Sequence, residues 1–363
     1  MKKVLVVITS GLGREGITSA ALETFRNMDL SGLAIDVADV AGAKADVVKD
    51  FEDLGCRVIA LPNRKKQLSA YRKALKKLVN QEGYDVVHVH GSSAIMSIEL
   101  SIAKKFGVKK RIAHSHNTTN SHGFVDKLLR PYFYKQFTCA LACGQDAGKF
   151  LFGKKAFTVF HNGKNFDNFK FSQESRDKIR KKYNYSDAFV LGFVGRINDQ
   201  KNPLFLVDVL RETLKMRPNS KLLLVGDGER RQEFINYATE QGVMQNIIIT
   251  GAVNNVHELI QAPDVMILPS LFEGLPVVST EWQVAGLNAF ISDRVTRECA
   301  PTDLVKFLPI DKGAKIWAEA ICSLDEKRTR QERSDYACEQ LKKEGFEIKE
   351  CAERLRNIYL DNN

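Results

Sequence analysis

No two cysteines in this chain are spaced as Cys-x-x-Cys, and no apolar run reaches the roughly 18 residues that a membrane-spanning helix needs. The first absence leaves seven scattered cysteines, Cys56, Cys139, Cys143, Cys299, Cys322, Cys338 and Cys351, an odd number that suggests neither a disulfide framework nor a zinc site. Reduced, mostly packed thiols are expected. The N-terminal Met-Lys-Lys-Val-Leu-Val-Val-Ile-Thr also lacks the longer apolar core and cleavage site of a signal peptide, so the expected location is the cytoplasm. Internal repeats and low-complexity tracts are missing too.

Acidic residues are scarce in the first half. Residues 1–165 hold 26 Lys and Arg against 14 Asp and Glu, the remainder 28 against 30, so the whole net charge of +10 arises before residue 166. A basic half suggests an anionic partner: phosphate, nucleic acid or an anionic membrane surface. No recognised nucleic-acid motif accompanies it, so no nucleic acid is expected. The cations are densest in Arg64–Val79, where Leu68, Tyr71, Leu75, Leu78 and Val79 recur at helical spacing. That pattern predicts a helix packed through its apolar side, with a basic face left for water or for the inner membrane surface. Lys127-Leu-Leu-Arg-Pro-Tyr-Phe-Tyr-Lys135 mixes aromatics with cations, as interfacial segments do.

The length of 363 residues suits two domains of ordinary size. Short apolar runs alternate with longer helical patterns, which predicts parallel sheets with crossover helices. Strands are expected at Val4–Thr9, Ala34–Val40, Arg57–Leu61, Asp85–His90, Arg111–His114, Cys139–Cys143 and Thr158–Phe160, then at Phe189–Val194, Lys221–Val225, Ile247–Thr250, Val265–Leu268, Ala289–Ser292 and Lys306–Leu308. Two doubly wound α/β domains follow, at 1–165 and 166–345. A final helical pattern, Ile348–Leu360 within 346–363, is expected to pack back on the first.

Glu273 and Glu281 stand eight positions apart in Pro269-Ser-Leu-Phe-Glu-Gly-Leu-Pro-Val-Val-Ser-Thr-Glu281, directly after the apolar run Asp264-Val-Met-Ile-Leu-Pro269. Ligands of open α/β sheets bind outside such strand ends. Pro276 suits the first turn of a helix, whose free amides attract anions, and the two carboxylates can hold separate hydroxylated parts of one ligand. A nucleotide sugar has that layout. Two glutamates at a helix start also favour the helix dipole from a solvated surface, but the strand and turn before them favour a site.

Further candidates also follow strands. Gly195-Arg-Ile-Asn-Asp-Gln-Lys201 places Arg196 and Lys201 where a diphosphate would need cations. Val225-Gly-Asp-Gly-Glu229 and Gly251-Ala-Val253 end two more strands, so Gly226 could admit a ligand to the backbone and Val253 could present its amide to a base. His88-Val-His90 and His114-Ser-His116 end two strands of the first half. Strand alternation is taken here to send one histidine of each pair inward and one outward. No cysteine or paired carboxylate near them completes a metal site, so none is expected, and His116, ahead of a Thr-Thr-Asn-Ser loop, is the candidate for touching substrate. Gly11-Leu-Gly-Arg-Glu-Gly16, with Asp36 twenty positions beyond, also fits a dinucleotide fingerprint and so an NAD-dependent oxidoreductase.

Taken in order, Gly195-Arg-x-x-x-x-Lys201, Val225-Gly-Asp-Gly, Pro269-Ser-Leu-Phe-Glu-Gly-Leu-Pro and the Glu273/Glu281 pair resemble the retaining glycosyltransferases of family 4, particularly those of capsular and exopolysaccharide synthesis. His114-Ser-His116-Asn and His161-Asn-Gly163 extend the resemblance over nearly the whole chain. It implies the GT-B fold, two Rossmann-like domains facing a central cleft, and transfer of a hexose or N-acetylhexosamine from a nucleoside diphosphate sugar, UDP first among them, to a lipid-linked saccharide acceptor. Arg196 and Lys201 would hold the diphosphate, Glu273 with the amides of Gly274 and Leu275 the sugar, Glu281 the ribose, and Gly16 the diphosphate again. His116 would lie beside the transferred sugar. The family needs no metal or other cofactor, in keeping with the absence of Asp-x-Asp. Retention would be front-side, the departing phosphate oxygen taking the acceptor's proton. The chain departs from the family pattern at Glu15 before Gly16, at Lys164-Asn165 after Gly163 and at Leu287-Asn288 after Gly286. A nucleotide-sugar epimerase of the same architecture is the related alternative.

Overall fold

The computed structural model describes residues 1–13, 16–118, 123–325 and 327–361. The chain forms two compact units, one of Met1–Lys164 with Gly345–Asn363 and the other of Asn165–Glu344. Arg14 and Glu15 of the glycine loop, and Thr119, Asn120 and Ser121 after His116, lie outside the described residues.

In the first unit seven strands, β1 (Lys2–Ile8), β2 (Leu33–Asp39), β3 (Arg57–Ala60), β4 (Val86–Gly91), β5 (Lys110–Ser115), β6 (Cys139–Ala142) and β7 (Thr158–Val159), form one sheet in the order β3-β2-β1-β4-β5-β6-β7. All neighbours pair in parallel. A strand covered by helices on both faces must be apolar on both, and Val4 to Ile8 are wholly buried. Val4, Val6 and Ile8 join one core with Leu22 and Phe25 of the Gly16–Arg26 helix. Leu5 and Val7 join the opposite core with Tyr71, Leu75 and Val79 of the Leu68–Glu82 helix and Leu100 of the Ser97–Lys105 helix. Leu68, expected among the packed residues, lies at the helix start and is exposed instead.

The last helix, Ile348–Leu360, belongs to this unit and adds Cys351, Ala352, Leu355 and Tyr359 to the first core. His161-Asn-Gly163 seats it. His161 stacks on Phe346 with ring centroids 4.0 Å apart, and Lys164 pairs through its backbone with Phe346 and Ile348. A Cβ on Gly163 would stand 2.9 Å from both the Ile348 Cα and the Cys351 Sγ.

The second unit holds β8 (Phe189–Val194), β9 (Ser220–Val225), β10 (Ile247–Ile249), β11 (Val265–Leu268), β12 (Asn288–Ser292) and β13 (Val305–Leu308), again all parallel, in the order β10-β9-β8-β11-β12-β13. A single core fills it, including both tryptophans, Trp282 and Trp317. The Arg330–Lys343 helix ties the sheet ends together: the Arg330 guanidinium donates to the carbonyls of Ile260, Gln261, Pro263 and Ala285, and Arg333 to that of Gly286. All seven cysteines are free thiols, four of them buried. Burial pushes the thiols of Cys299 and Cys351 up to about 12, which keeps them protonated and inert.

Gly163→Ala should destabilise the first unit by about 1–3 kcal/mol, because its new methyl meets backbone as well as a thiol. Far-UV circular dichroism in urea checks this, since both tryptophans report the second unit only. An unchanged midpoint would show that the last helix gives way freely.

Candidate active site

In each sheet the strand order reverses once, between β1 and β4 and between β8 and β11. The chain leaves β8 toward one edge and returns at β11 toward the other, so the crossovers diverge and the loops after these two strands are left uncovered by helix. Gly195–Lys201 follow β8, and Pro269–Pro276 follow β11.

The two loops are joined by hydrogen bonds. The amide of Leu271 donates to Gln200 O at 2.8 Å, and Gln200 Nε2 donates to Phe272 O at 3.0 Å and to Glu273 Oε2 at 3.1 Å. Lys201 Nζ completes the junction at 2.6 Å from Glu273 Oε1, with both side chains largely buried. The structure thus brings together Lys201 and Glu273, expected separately for diphosphate and sugar, as an ion pair. Gln200 carries no motif of its own, and only its position beside Lys201 could have flagged it. Arg196 is more exposed and its Nε lies 3.0 Å from Glu229 Oε2.

Gly226 and Gly228 are required by a neighbouring loop. A Cβ on Gly226, whose φ is +146°, would lie 2.0 Å from Gly195 O, and one on Gly228 2.3 Å from Ile197 O. Backbone bonds from Gly195 N to Val225 O and from Ile197 N to Asp227 O lock the loops after β8 and β9 side by side. Val253 is half-buried against the core beyond β10. Gly274 and Leu275 are half-buried, and Leu275 also rests on that core.

Pro276 precedes the Val277–Val284 helix in extended backbone, so the first helical turn begins one residue later than expected. Glu281 is the fifth residue of this helix and only 7% exposed. Ser270 Oγ, just beyond β11, is fully buried and finds no partner within the protein, a state that a ligand or an ordered water would relieve.

The switch point of the first unit carries histidines. β4 and β5 pair with His90 opposite His114, and residues two apart on a strand share a face. His88, His90, His114 and His116 therefore all point to one side, which corrects the expected inward and outward split: alternation separates i from i+1, never i from i+2. Their rings form a two-by-two stack, with centroids 4.0 Å apart for His88 and His90 and 4.2 Å for His114 and His116. His88 Nδ1 lies 2.7 Å from the Tyr359 hydroxyl and His88 Nε2 3.2 Å from His114 Nδ1, while His90 Nδ1 lies 2.9 Å from His116 Nε2. His90 Nε2, His114 Nε2 and His116 Nδ1 are buried without partners. Burial holds all four rings neutral, lowering His88 and His116 to about 3 and His90 and His114 in the same direction. Ring nitrogens of His88, His90 and His114 lie within 4.8 Å of one another, the group that could hold a metal ion among the described residues.

Gly16 opens its helix with no neighbouring atom within 4 Å of the place a Cβ would take. Asp36 accepts from Arg57 Nε at 2.9 Å and from the Tyr84 hydroxyl. It lies three residues before the end of β2, engaged where a dinucleotide ribose would need it free.

Two outcomes are expected. Breaking the Lys201 and Glu273 pair by Lys201→Met and Glu273→Gln, singly and together, should give a coupling energy of about 0.5–3 kcal/mol in urea denaturation, and additive effects would refute the pairing. Acid should destabilise the first unit, because an unfolded chain's histidines bind protons near pH 6.5 while these rings stay neutral to about 3. Stability is then lost as pH falls through that window, by up to about 1.4 kcal/mol per pH unit for each ring. His88→Leu should flatten the dependence measured by circular dichroism; an equal slope would place the effect elsewhere.

Residues 175–336 match the family described as glycosyl transferases group 1. A Bacillus subtilis chain named as a glycosyltransferase, EpsF, is 28% identical over 373 residues, spanning 99% of this chain and 96% of that one. The UDP-Gal:alpha-D-GlcNAc-diphosphoundecaprenol alpha-1,3-galactosyltransferase of Escherichia coli is 25% identical, spanning 98% and 95% of the two chains. Among solved structures, HepE of Anabaena in complex with UDP superposes with a TM-score of 0.81 at 15% identity over 98% of this chain and 99% of its own. The family match over residues 175–336 of the second unit, relatives similar along the whole length and this shared architecture support a glycosyltransferase, and the two Rossmann-like domains are those of the GT-B fold.

Proposed function

We propose that this glycosyltransferase moves a hexose or N-acetylhexosamine from a UDP-sugar to a lipid-linked saccharide, with retention of anomeric configuration, during assembly of a capsular or exopolysaccharide. The observation that carries the proposal is the pair of stitched loops at the β8 and β11 ends, with Lys201 on Glu273 and the buried Glu281 on the helix that follows. The Escherichia coli relative supports donor and acceptor classes, since its name specifies UDP-Gal and a diphosphoundecaprenol-linked sugar.

In this reading the diphosphate draws Lys201 Nζ and the Arg196 guanidinium from their carboxylates. Charge-assisted bonds of about 1.5–3 kcal/mol each then favour the phosphate as it gains charge. Glu273, released, accepts from sugar hydroxyls, and the amides of Gly274 and Leu275 meet sugar and phosphate. Glu281 holds the ribose diol. Val253 and the Gly226 turn border the base and phosphates, Gly16 approaches the diphosphate, and His116 donates to a hydroxyl of the transferred sugar. The bond from anomeric carbon to phosphate oxygen breaks, the bond to the acceptor oxygen forms on the same face, and the acceptor's proton passes to the departing phosphate oxygen. The residues' task is positioning and charge stabilisation, with no metal in the transfer. The enzyme works at the cytoplasmic side of the membrane, its basic first unit toward the anionic leaflet.

A thermal-shift panel of UDP, GDP, ADP, CMP and NADH on the wild type and on Glu281→Ala tests this. At 100 times its dissociation constant a ligand adds about 2.7 kcal/mol of stability. UDP is expected to stabilise the wild type and not the variant, with the effect unchanged by chelator. Stabilisation by NADH alone, or by UDP equally in both proteins, would overturn the site, and a product of inverted configuration by NMR would overturn retention.

A further inference from the structure

The Gly123–Phe133 helix faces two ways. Inward, Phe133 is fully buried, and Asp126 accepts from the Ala94 amide at 2.7 Å and from Arg130 Nε at 2.8 Å. Outward, Phe124, Leu128 and Tyr132 recur every four residues as a single stripe, 81%, 70% and 51% exposed, with Val125 beside them. Large apolar side chains left in water along one helix face mark a surface that something covers.

Charge at the rim indicates what covers it. Asp126, the helix's one acidic residue, is turned into the protein, so the outward face carries none. Lys127 and Lys135 are exposed at its edges, and Lys104 of the adjoining Ser97–Lys105 helix reaches the Lys135 carbonyl at 2.8 Å. The Leu68–Glu82 helix packs on the same side of the sheet and exposes Leu68, Arg72, Lys73 and Lys77. An apolar stripe edged by lysines matches the boundary of an anionic bilayer, where apolar side chains enter the acyl region and ammonium groups reach headgroup phosphates.

We propose that Phe124, Leu128 and Tyr132 form a wedge that inserts into the anionic lipid surface, while the neighbouring cations supply long-range attraction. This rests on the membrane-facing reading above and adds an apolar, salt-resistant component to it. Attraction by charge is screened within about 10 Å at 0.1 M salt, whereas burial of apolar side chains is not. A lipid-linked acceptor would then be met at the depth where its headgroup lies.

The test uses the full chain carrying Phe124→Trp and vesicles of phosphatidylcholine with and without 30% phosphatidylglycerol (a level of about one anionic lipid in three), a fraction of the acyl chains being brominated. The native tryptophans, Trp282 and Trp317, are buried in the second unit, so the difference spectrum reports the new side chain. Blue-shifted emission quenched by bromolipid on anionic vesicles is expected. Leu128→Ser with Tyr132→Ser should weaken partitioning about tenfold or more, roughly 1.4 kcal/mol or more, while the thermal shift by UDP stays unchanged. Vesicle binding without quenching would overturn the wedge and leave attraction through the basic helix. No vesicle binding at all would overturn the membrane reading as well. Concentration-dependent dimerisation removed by Leu128→Ser would assign the stripe to a second copy of the chain.

Discussion

Parallel strand order is the constraint on which the rest depends. A parallel neighbour can be reached only by a crossover, so each sheet grows outward from its first strand, then restarts on the other side. The restart leaves the ends of β8 and β11 adjacent, though their loops lie more than sixty residues apart in the chain. Lys201 and Glu273 meet for that reason. Sequence distance between them is the path out to β10 and back, and spatial distance is one strand spacing.

The same geometry explains the tight loop contacts. With β8 and β9 in register from Phe189 with Ser220 to Val194 with Val225, the turns beyond them emerge side by side. Only glycine at 226 and 228 lets the backbone of Gly195 and Ile197 lie against them. The expectation that these glycines admit a ligand and the observation that they admit a neighbouring loop share one cause, a backbone approach that no Cβ allows. What they set is thus the shape of the loop carrying Arg196 and Lys201.

In the first unit the register of β4 on β5 turns two His-x-His motifs into a stack. Period-two side chains on adjacent parallel strands form columns, so Val86, His88 and His90 stand opposite Lys110, Ile112 and His114, with His116 just past the end of β5. Polar rings replace apolar ones toward the carboxyl ends, with Tyr359 of the last helix satisfying the deepest. Orphaned nitrogens nearer the strand ends are an energetic cost kept at the switch point, where ligands of such sheets bind.

How much was legible in the sequence follows from these cases. Short, largely apolar runs located the thirteen strands of the described residues to within about two residues, because a strand buried on both faces has little freedom to be polar. The motif order around Glu273 was enough to suggest the family. What stayed hidden were partners across strands: Gln200 on Glu273, Glu229 on Arg196, Tyr359 on His88, and the exposure of Phe124 and Leu128, residues whose spacing alone suits burial as well as display. Chain order by itself determined which segments become strands, and which residue types stand at their ends, because hydrophobic pattern and turn chemistry are local. Which of those ends become neighbours, and which apolar side chains are left outside, was decided only by the tertiary structure, because strand order and helix placement arise from burying the whole surface at once.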